Sequence, residues 1–450
     1  MRIIVVGAGE VGSFMAETLS ANDHDVIVIE NDERIARMVD ENQNVRVICD
    51  RGSSARALAA AEVQHCDFFL ALTNNDETNL VAASLAKAMG AGNTFARVHD
   101  DTFRDTSKFN YQDHFGIDLL MNPERLAAVA LAKYIRNPDR VAVEDFARGQ
   151  VEVQLVPVDS GAKAAGQALK DLRLPPATRI ALIQRGEETI VPTAECVIHP
   201  GDKVTLCGPP EVLFEIRGIF SAGKDGKRDR RVVIFGGDEI GISLIRLLSN
   251  PRFKLRVIES NPARCRFIAD QFPHVSVIQG EGTSLRLLEE EQVGAADYFI
   301  ACTRDDEDNV MTCLQARKLG VQHVYLAFNR ADYNEIVQTS KETLGVEVAV
   351  SPRIVAAEEI LRYISRERYV ELGTLPGGGG RLIEFRVAPG SNCAGRKIRE
   401  LGWPPGSIIL VVQRRGRAVA PGPDETVQPG DRLLTILKPE LFDTVLAQVS

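Results

Sequence analysis

Gly7-Ala8-Gly9-Glu10-Val11-Gly12 follows the apolar run Ile3-Ile4-Val5-Val6 and returns 229 residues later as Gly236-Gly237-Asp238-Glu239-Ile240-Gly241. A G-x-G-x-x-G run that leaves a strand and opens a helix reads as a phosphate-binding turn. Gly7 permits the sharp turn, Gly9 lets backbone N–H groups approach a diphosphate, and Gly12 allows the helix to lie close on the sheet. A bound anion then faces the unsatisfied N–H groups and the positive end of the helix dipole.

The repetition extends outward from this motif. Val28-Ile29-Glu30 returns as Val257-Ile258-Glu259, and the strand ending in Leu72-Thr73 returns ending in Cys302-Thr303. Asp76-Glu77 and Asn79 recur as Asp306-Glu307 and Asn309. Gln184-Arg185 and Pro200-Gly201-Asp202 recur as Gln413-Arg414 and Pro429-Gly430-Asp431. A long period of this kind decides the architecture: the chain is a duplicated pair.

In the first copy, buried-type runs at 3–6, 26–29, 45–48 and 68–72 alternate with helical spacing at 12–19 and 55–61, which predicts a parallel sheet with right-handed crossovers. Residues 123–135 read as an amphipathic helix starting after Asn122, with Leu126, Ala130 and Tyr134 on one stripe; 352–364 after Ser351 is its counterpart. These two helices are the natural elements joining one unit to the next. The remainder of each copy, about 151–217 and 381–447, predicts a small α+β module with two helices. The small, charged stretch 221–230 reads as a linker, Asn137-Pro138 as a boundary, and the glycine run 377–380 as a loose connector. The fold class is therefore α/β, two tandem Rossmann-like parallel-sheet domains at 1–121 and 230–350, each followed by a small α+β domain at 138–222 and 368–450.

Composition narrows the function classes. The 450 residues are 44% apolar and 26% charged, as in an ordinary multidomain globular protein, and 53 basic against 62 acidic residues leave 53 − 62 = −9. That balance argues against nucleic acid as a partner, since phosphate binding needs clustered Lys and Arg. The eight cysteines include no C-x-x-C pair and the seven histidines no metal spacing, so neither a disulfide framework nor structural zinc is expected. The amino-terminal apolar run is too short for a leader and no stretch reaches the ~18 apolar residues of a membrane span, so a cytoplasmic location is expected.

Glu30 ends the second strand, where its carboxylate would accept hydrogen bonds from ribose hydroxyls and repel a 2′-phosphate, favouring NAD over NADP. The alternative for Glu30 is a solvent-exposed strand-end carboxylate. Thr73 and Asn74 fall at the carboxyl edge of the sheet, beside the expected ligand. Arg97 would meet either a phosphate or an ion-pair partner. In the second copy Asp238 replaces the middle glycine, placing a carboxylate beside the proposed diphosphate; a weaker ligand, a different one such as a nucleoside, or none is expected there. No catalytic group stands out: His199 is matched by Gln428 in the other copy and reads as a turn residue, and Cys196 and Cys207 read as small strand hydrophobes.

Two successive Rossmann units with acidic second-strand ends, each trailed by a module carrying Pro-Gly-Asp turns, resemble the TrkA-type proteins of the regulator-of-potassium-conductance (RCK/KTN) family over essentially the whole chain. The resemblance implies a non-enzymatic regulatory subunit, peripheral to the inner face of the cell membrane. It implies a homo-oligomeric ring that gates a Trk-type potassium-translocating membrane protein, with NAD(H) and ATP or ADP bound to the Rossmann units. Carried over by position, the contacts fall on Gly7, Ala8, Gly9, Glu10, Val11, Gly12, Glu30, Thr73, Asn74 and Arg97. In the second unit they fall on Gly236, Gly237, Asp238, Glu239, Ile240, Glu259, Thr303 and Arg304, with Asp238 departing from the glycine pattern. The rival readings are an NAD-dependent oxidoreductase and a nucleotide sensor of another ion transporter.

Overall fold

The computed structural model describes residues 1–103, 105, 108–136, 143–146, 150–175, 178–186, 188–190, 192–221, 229–330, 333–364, 368–374, 380–414 and 417–450. Most of the linker, the Asn137-Pro138 boundary and the first three residues of the 377–380 run lie outside these. Two compact units emerge, each assembled from both copies: residues 1–131 with 230–365, and 132–229 with 366–450.

In the first unit, β1 (Arg2–Val6), β2 (Asp25–Glu30), β3 (Arg46–Cys49), β4 (Phe68–Ala71), β5 (Asn93–Arg97) and β6 (Leu119–Met121) form a parallel sheet in the order β3-β2-β1-β4-β5-β6. The order reverses between β1 and β4, where Val6 lies opposite both Ile29 and Ala71; such a switch point is where open parallel sheets bind ligands at the carboxyl ends of their strands. Val5, Val28 and Leu70 are fully buried, as a sheet covered by helices on both faces requires.

In both small modules the strands are antiparallel. The first has β7 (Val143–Phe146), β8 (Val151–Pro157), β9 (Arg179–Arg185), β10 (Glu188–Ile190) and β11 (Lys203–Gly208) in the order β10-β9-β11-β8-β7. The second Rossmann unit repeats the first: β12 (Arg230–Phe235), β13 (Phe253–Glu259), β14 (Ser276–Gln279), β15 (Tyr298–Ala301), β16 (His323–Ala327) and β17 (Val348–Val350) pair as β14-β13-β12-β15-β16-β17. The last module, β18 (Tyr369–Thr374), β19 (Arg381–Arg386), β20 (Ser407–Arg414), β21 (Arg417–Val419) and β22 (Arg432–Leu437), pairs as β18-β19-β22-β20-β21, the same topology as the first module.

The helix after each Rossmann sheet spans Pro123–Arg136 and Pro352–Ile364. The second buries Ala356, Ala357, Ile360 and Ile364 in the core of the first copy's sheet, among Ile3, Val5, Val28 and Leu70, and Tyr363 meets Phe95 edge-on at 5.5 Å. Burying the two isoleucines contributes about 3–6 kcal/mol. The expected Leu126, Ala130 and Tyr134 stripe does not form: Tyr134 is 45% exposed, whereas Ala127, Ala128, Val129 and Leu131 are all buried. This helix is enclosed on more than one side, and its small residues allow that.

In the other unit the two small modules share a core, with Val151, Val153, Ala181 and Leu182 packed against Leu382, Leu410, Val411 and Leu434. Instead of two helices, the described residues of each module show one α-helix, Pro210–Ile216 or Phe442–Val449, besides short 3-10 turns. Asp202 and Asp431, both 1% exposed, explain the repeated Arg and Pro-Gly-Asp signals. Each accepts two hydrogen bonds from its arginine, Arg185 or Arg414, and one from a turn N–H. His199 is an exposed turn residue; Cys207 is buried in β11, but Cys196 sits in a turn outside the strands.

Candidate functional site

The first glycine loop joins β1 to the helix Glu10–Ala21 at the reversal of strand order. Gly7 has φ +88°, and a Cβ there would also meet Thr73 Cγ2 at 2.8 Å. A Cβ on Gly12 would lie 1.8 Å from the Gly7 carbonyl oxygen, so only glycine lets the helix pass this close. Gly9 is different. Its φ is −62° and a Cβ would meet nothing within 4 Å, so at this position the loop faces open space. Gly9 is also the helix N-cap and provides no side-chain acceptor for the N–H groups of the first turn. Ala8 and Val11 turn their side chains into the core.

Glu30 is 6% exposed, which removes the solvated strand-end alternative. Its Oε2 accepts the Ala8 N–H at 2.6 Å and its Oε1 the Asp32 N–H at 2.9 Å. A carboxylate offers about four acceptor positions, so two remain for a ligand hydroxyl. Glu259 repeats the device with the N–H groups of Gly237 and Asn261, both at 2.7 Å.

Thr73 is held by a residue that sequence reasoning noticed only as a repeat marker. Fully buried Asn79 accepts the Thr73 N–H and hydroxyl and donates to the carbonyls of Thr73 and Arg97, so that one amide ties the ends of β4 and β5. Asn309 does the same for Thr303 and Ala327. Asp76 accepts the N–H groups of His99 and Asp100 as well as His99 Nδ1. Burial alone would push its carboxyl up, but these bonds outweigh it and hold the pKa below the usual range. That both residues recur in the second copy was the available signal. Asn79→Ala should cost about 2 kcal/mol, because the Thr73 N–H and the Arg97 carbonyl would lose their partner. A shifted urea midpoint checks this; an unchanged midpoint would contradict the tie.

Arg97 takes the ion-pair alternative, with its Nη2 2.6 Å from Glu124 Oε1 in a half-buried pair. Asn74 is exposed at the rim. Arg97, Glu124, Asn74 and Glu10 from the first copy line one cavity of about 1150 Å³ together with Asp238, Glu239, Arg304 and Arg353 from the second.

The second loop has the same backbone frame, with Gly236 at φ +112° and a Gly241 Cβ position 2.1 Å from the Gly236 carbonyl oxygen. Its chemistry is reversed. Arg264 Nη2 lies 3.2 Å from Asp238 and 3.3 Å from Glu239, while Arg304 lies 3.2 Å from Asp238 and 3.4 Å from Glu239. Burial, with Glu239 and Glu259 nearby, pushes the Asp238 carboxyl up against the pull of Arg304 and Arg264, and Asp238 in turn raises Arg304. Ile240 is buried beneath them. Arg264 and Arg304 stand where the first copy has Ile35 and Asn74, so two added cations accompany the added carboxylate. At the first loop the Gly9 position faces open space, as a phosphate-binding turn requires; at the second the Asp238 side chain stands in that position.

Family models for the TrkA-N domain match residues 3–123 and 232–352, and for the TrkA-C domain 153–221 and 382–450. The chain belongs to the TrkA family. A TrkA relative in Archaeoglobus fulgidus, "Trk system potassium uptake protein TrkA homolog", is 32% identical over 442 residues covering 97% of each chain. "Trk system potassium uptake protein TrkA" of Halomonas elongata is 30% identical over 96% of this chain and 95% of its own. Among solved structures, "Crystal Structure of the GsuK RCK domain" matches 99% of this chain and 95% of that one at a TM-score of 0.57 and 18% identity. "GsuK channel bound to NAD" matches 99% and 79% at 0.58 and 18%. These structures share the fold of this TrkA-family chain. Among the described residues no helix is long and apolar enough to cross a membrane.

Proposed function

We propose that the chain is an NAD(H)- and nucleotide-binding regulatory subunit of a Trk-type potassium-uptake system. It would lie on the cytoplasmic face of the membrane, assemble as a homo-oligomeric ring and gate a potassium-translocating membrane partner. The names of the TrkA relatives support the transport context. The observation that carries the regulatory reading is that residues of both copies wall one cavity, with Glu10, just after the first glycine loop, paired there with Arg353 of the second copy. A ligand touching both walls favours one arrangement of the copies over another, and it can shift the partner's open population only by that difference in affinity.

In this reading the amides of the first loop bind the phosphates, Glu30 orients the ribose, and Thr73 and Asn74 flank it. NAD(H), ATP and ADP are candidate ligands sharing a phosphate chain. The second loop, neutralised by Arg264 and Arg304, takes no dinucleotide.

The test is titration calorimetry with NAD, NADH, ADP and ATP, alongside potassium uptake by the reconstituted pair. One site per chain and a nucleotide-dependent uptake rate are expected. Two equal NAD sites would overturn the assignment of the second loop, and uptake indifferent to every nucleotide would overturn the regulatory role. Steady consumption of NADH with a small substrate would favour an oxidoreductase instead.

A further inference from the structure

The two copies differ in where they place one cation. In the first, Arg97 at the end of β5 pairs with Glu124 at the start of the following helix. In the second, the strand position is Ala327 and the helix position is Arg353, so the cation has moved from strand to helix and the anion is gone. Arg353 has no carboxylate of its own copy as ion-pair partner among the described residues. Its side chain, 13% exposed, lines the shared cavity and pairs across it with Glu10, in the first turn of the helix that follows Gly9.

Glu10 is an odd holder for a buried guanidinium. Its side chain is 76% exposed, so most of that carboxylate is already solvated and its pairing is worth little. A diphosphate over the first loop would meet the same guanidinium with more charge and with bidentate geometry. The helix carrying Arg353 is itself anchored in the first copy's core through Ala356, Ala357, Ile360 and Ile364, so the guanidinium is held beside the loop before any ligand arrives.

We propose that Arg353 is a phosphate-binding residue for the nucleotide at the first loop, supplied by the opposite copy and held in reserve by Glu10. This rests on the reading that the first loop takes a nucleotide. The second loop receives a different treatment. The residue corresponding to Arg353 is Glu124, which is already paired with Arg97 at 2.6 Å, so the first copy presents a neutralised pair where the second presents a guanidinium. The exchange gives the first site a cation from the opposite copy, while the second loop draws its cations, Arg264 and Arg304, from its own copy.

The experiment uses the full chain, with NAD and ADP as probes in calorimetry at low and physiological salt. Arg353→Gln should weaken both ligands roughly 10- to 100-fold and flatten the salt dependence, as expected when one charge-assisted phosphate contact is lost. Arg353→Lys should recover part of that loss, and Glu10→Gln, at an exposed position, should tighten binding severalfold by releasing Arg353 and removing a like charge. Wild-type binding with Arg353→Gln unchanged within twofold overturns this inference and leaves the nucleotide site standing. Absence of binding by the wild type overturns the site itself. Should Arg353→Gln fail to fold, unaltered affinity in Glu10→Gln overturns the inference alone.

Discussion

Gly9→Asp should lower the affinity for NAD by about two orders of magnitude and leave the melting temperature of the ligand-free protein unchanged or slightly raised. Nothing lies within 4 Å of the Cβ position and the backbone is in a conformation open to any residue, so the folded chain accepts the side chain without rearrangement. Aspartate is also at least as good an N-cap as glycine. The new carboxylate would stand beside the diphosphate. A like charge at ~4 Å costs about 1 kcal/mol in water and about 4 at an effective dielectric of 20. The second copy tolerates its Asp238 because Arg264 and Arg304 answer it; Ile35 and Asn74 at the corresponding places cannot. Gly9→Ala separates bulk from charge and should bind far better than Gly9→Asp. Calorimetric affinity within threefold of wild type for Gly9→Asp would remove the first loop from consideration as the phosphate site.

Three residues along, Gly12→Ala should do the reverse and damage the fold directly. Its Cβ would sit 1.8 Å from the Gly7 carbonyl oxygen and 2.9 Å from the carbonyl carbon, and neither atom can rotate away. The helix would have to lift from the sheet, disturbing Val11, Met15, Ala16 and Leu19 in the core. Overpacking against side chains costs about 1–3 kcal/mol, and against fixed backbone the loss should reach about 3 or more. At about 2–4 °C per kcal/mol for a domain of this size, the melting temperature should drop by roughly 6–12 °C. A variant melting within 1 °C of wild type would show that the helix can lift from the sheet at little cost.

The opposite fates of Gly9 and Gly12 mark what could be read from sequence. The motif and its place after a strand were enough to assign each glycine a separate job, and the duplication made the sheet order of one copy predict that of the other. Strand ends erred by a residue or two, where polar termini such as Arg2 and Asp25 continue the pairing without an apolar signal. The helix 123–136 misled because burial on several sides erases the single stripe on which periodicity depends. Arg97 could not be assigned, since its partner Glu124 lies 27 residues away and nothing local announces the pair. Arg264 and Arg304 were legible in principle: aligned against Ile35 and Asn74, they are the charges that a carboxylate at 238 demands. Arg353 was not, because its role depends on which copy its helix enters, a fact of packing between distant parts of the chain.

That packing has a consequence for how such a chain could be divided. The Pro352–Ile364 helix leaves its own copy and completes the interior of the other, so a fragment ending near the 221–230 linker would keep a sheet face open around Ile3, Val5 and Leu70. Such a half-length product would be sticky, seeking a twin whose matching helix could plug the gap. In the intact chain that seam is internal, so its two sides need not match each other, and the loops on either side are indeed unlike.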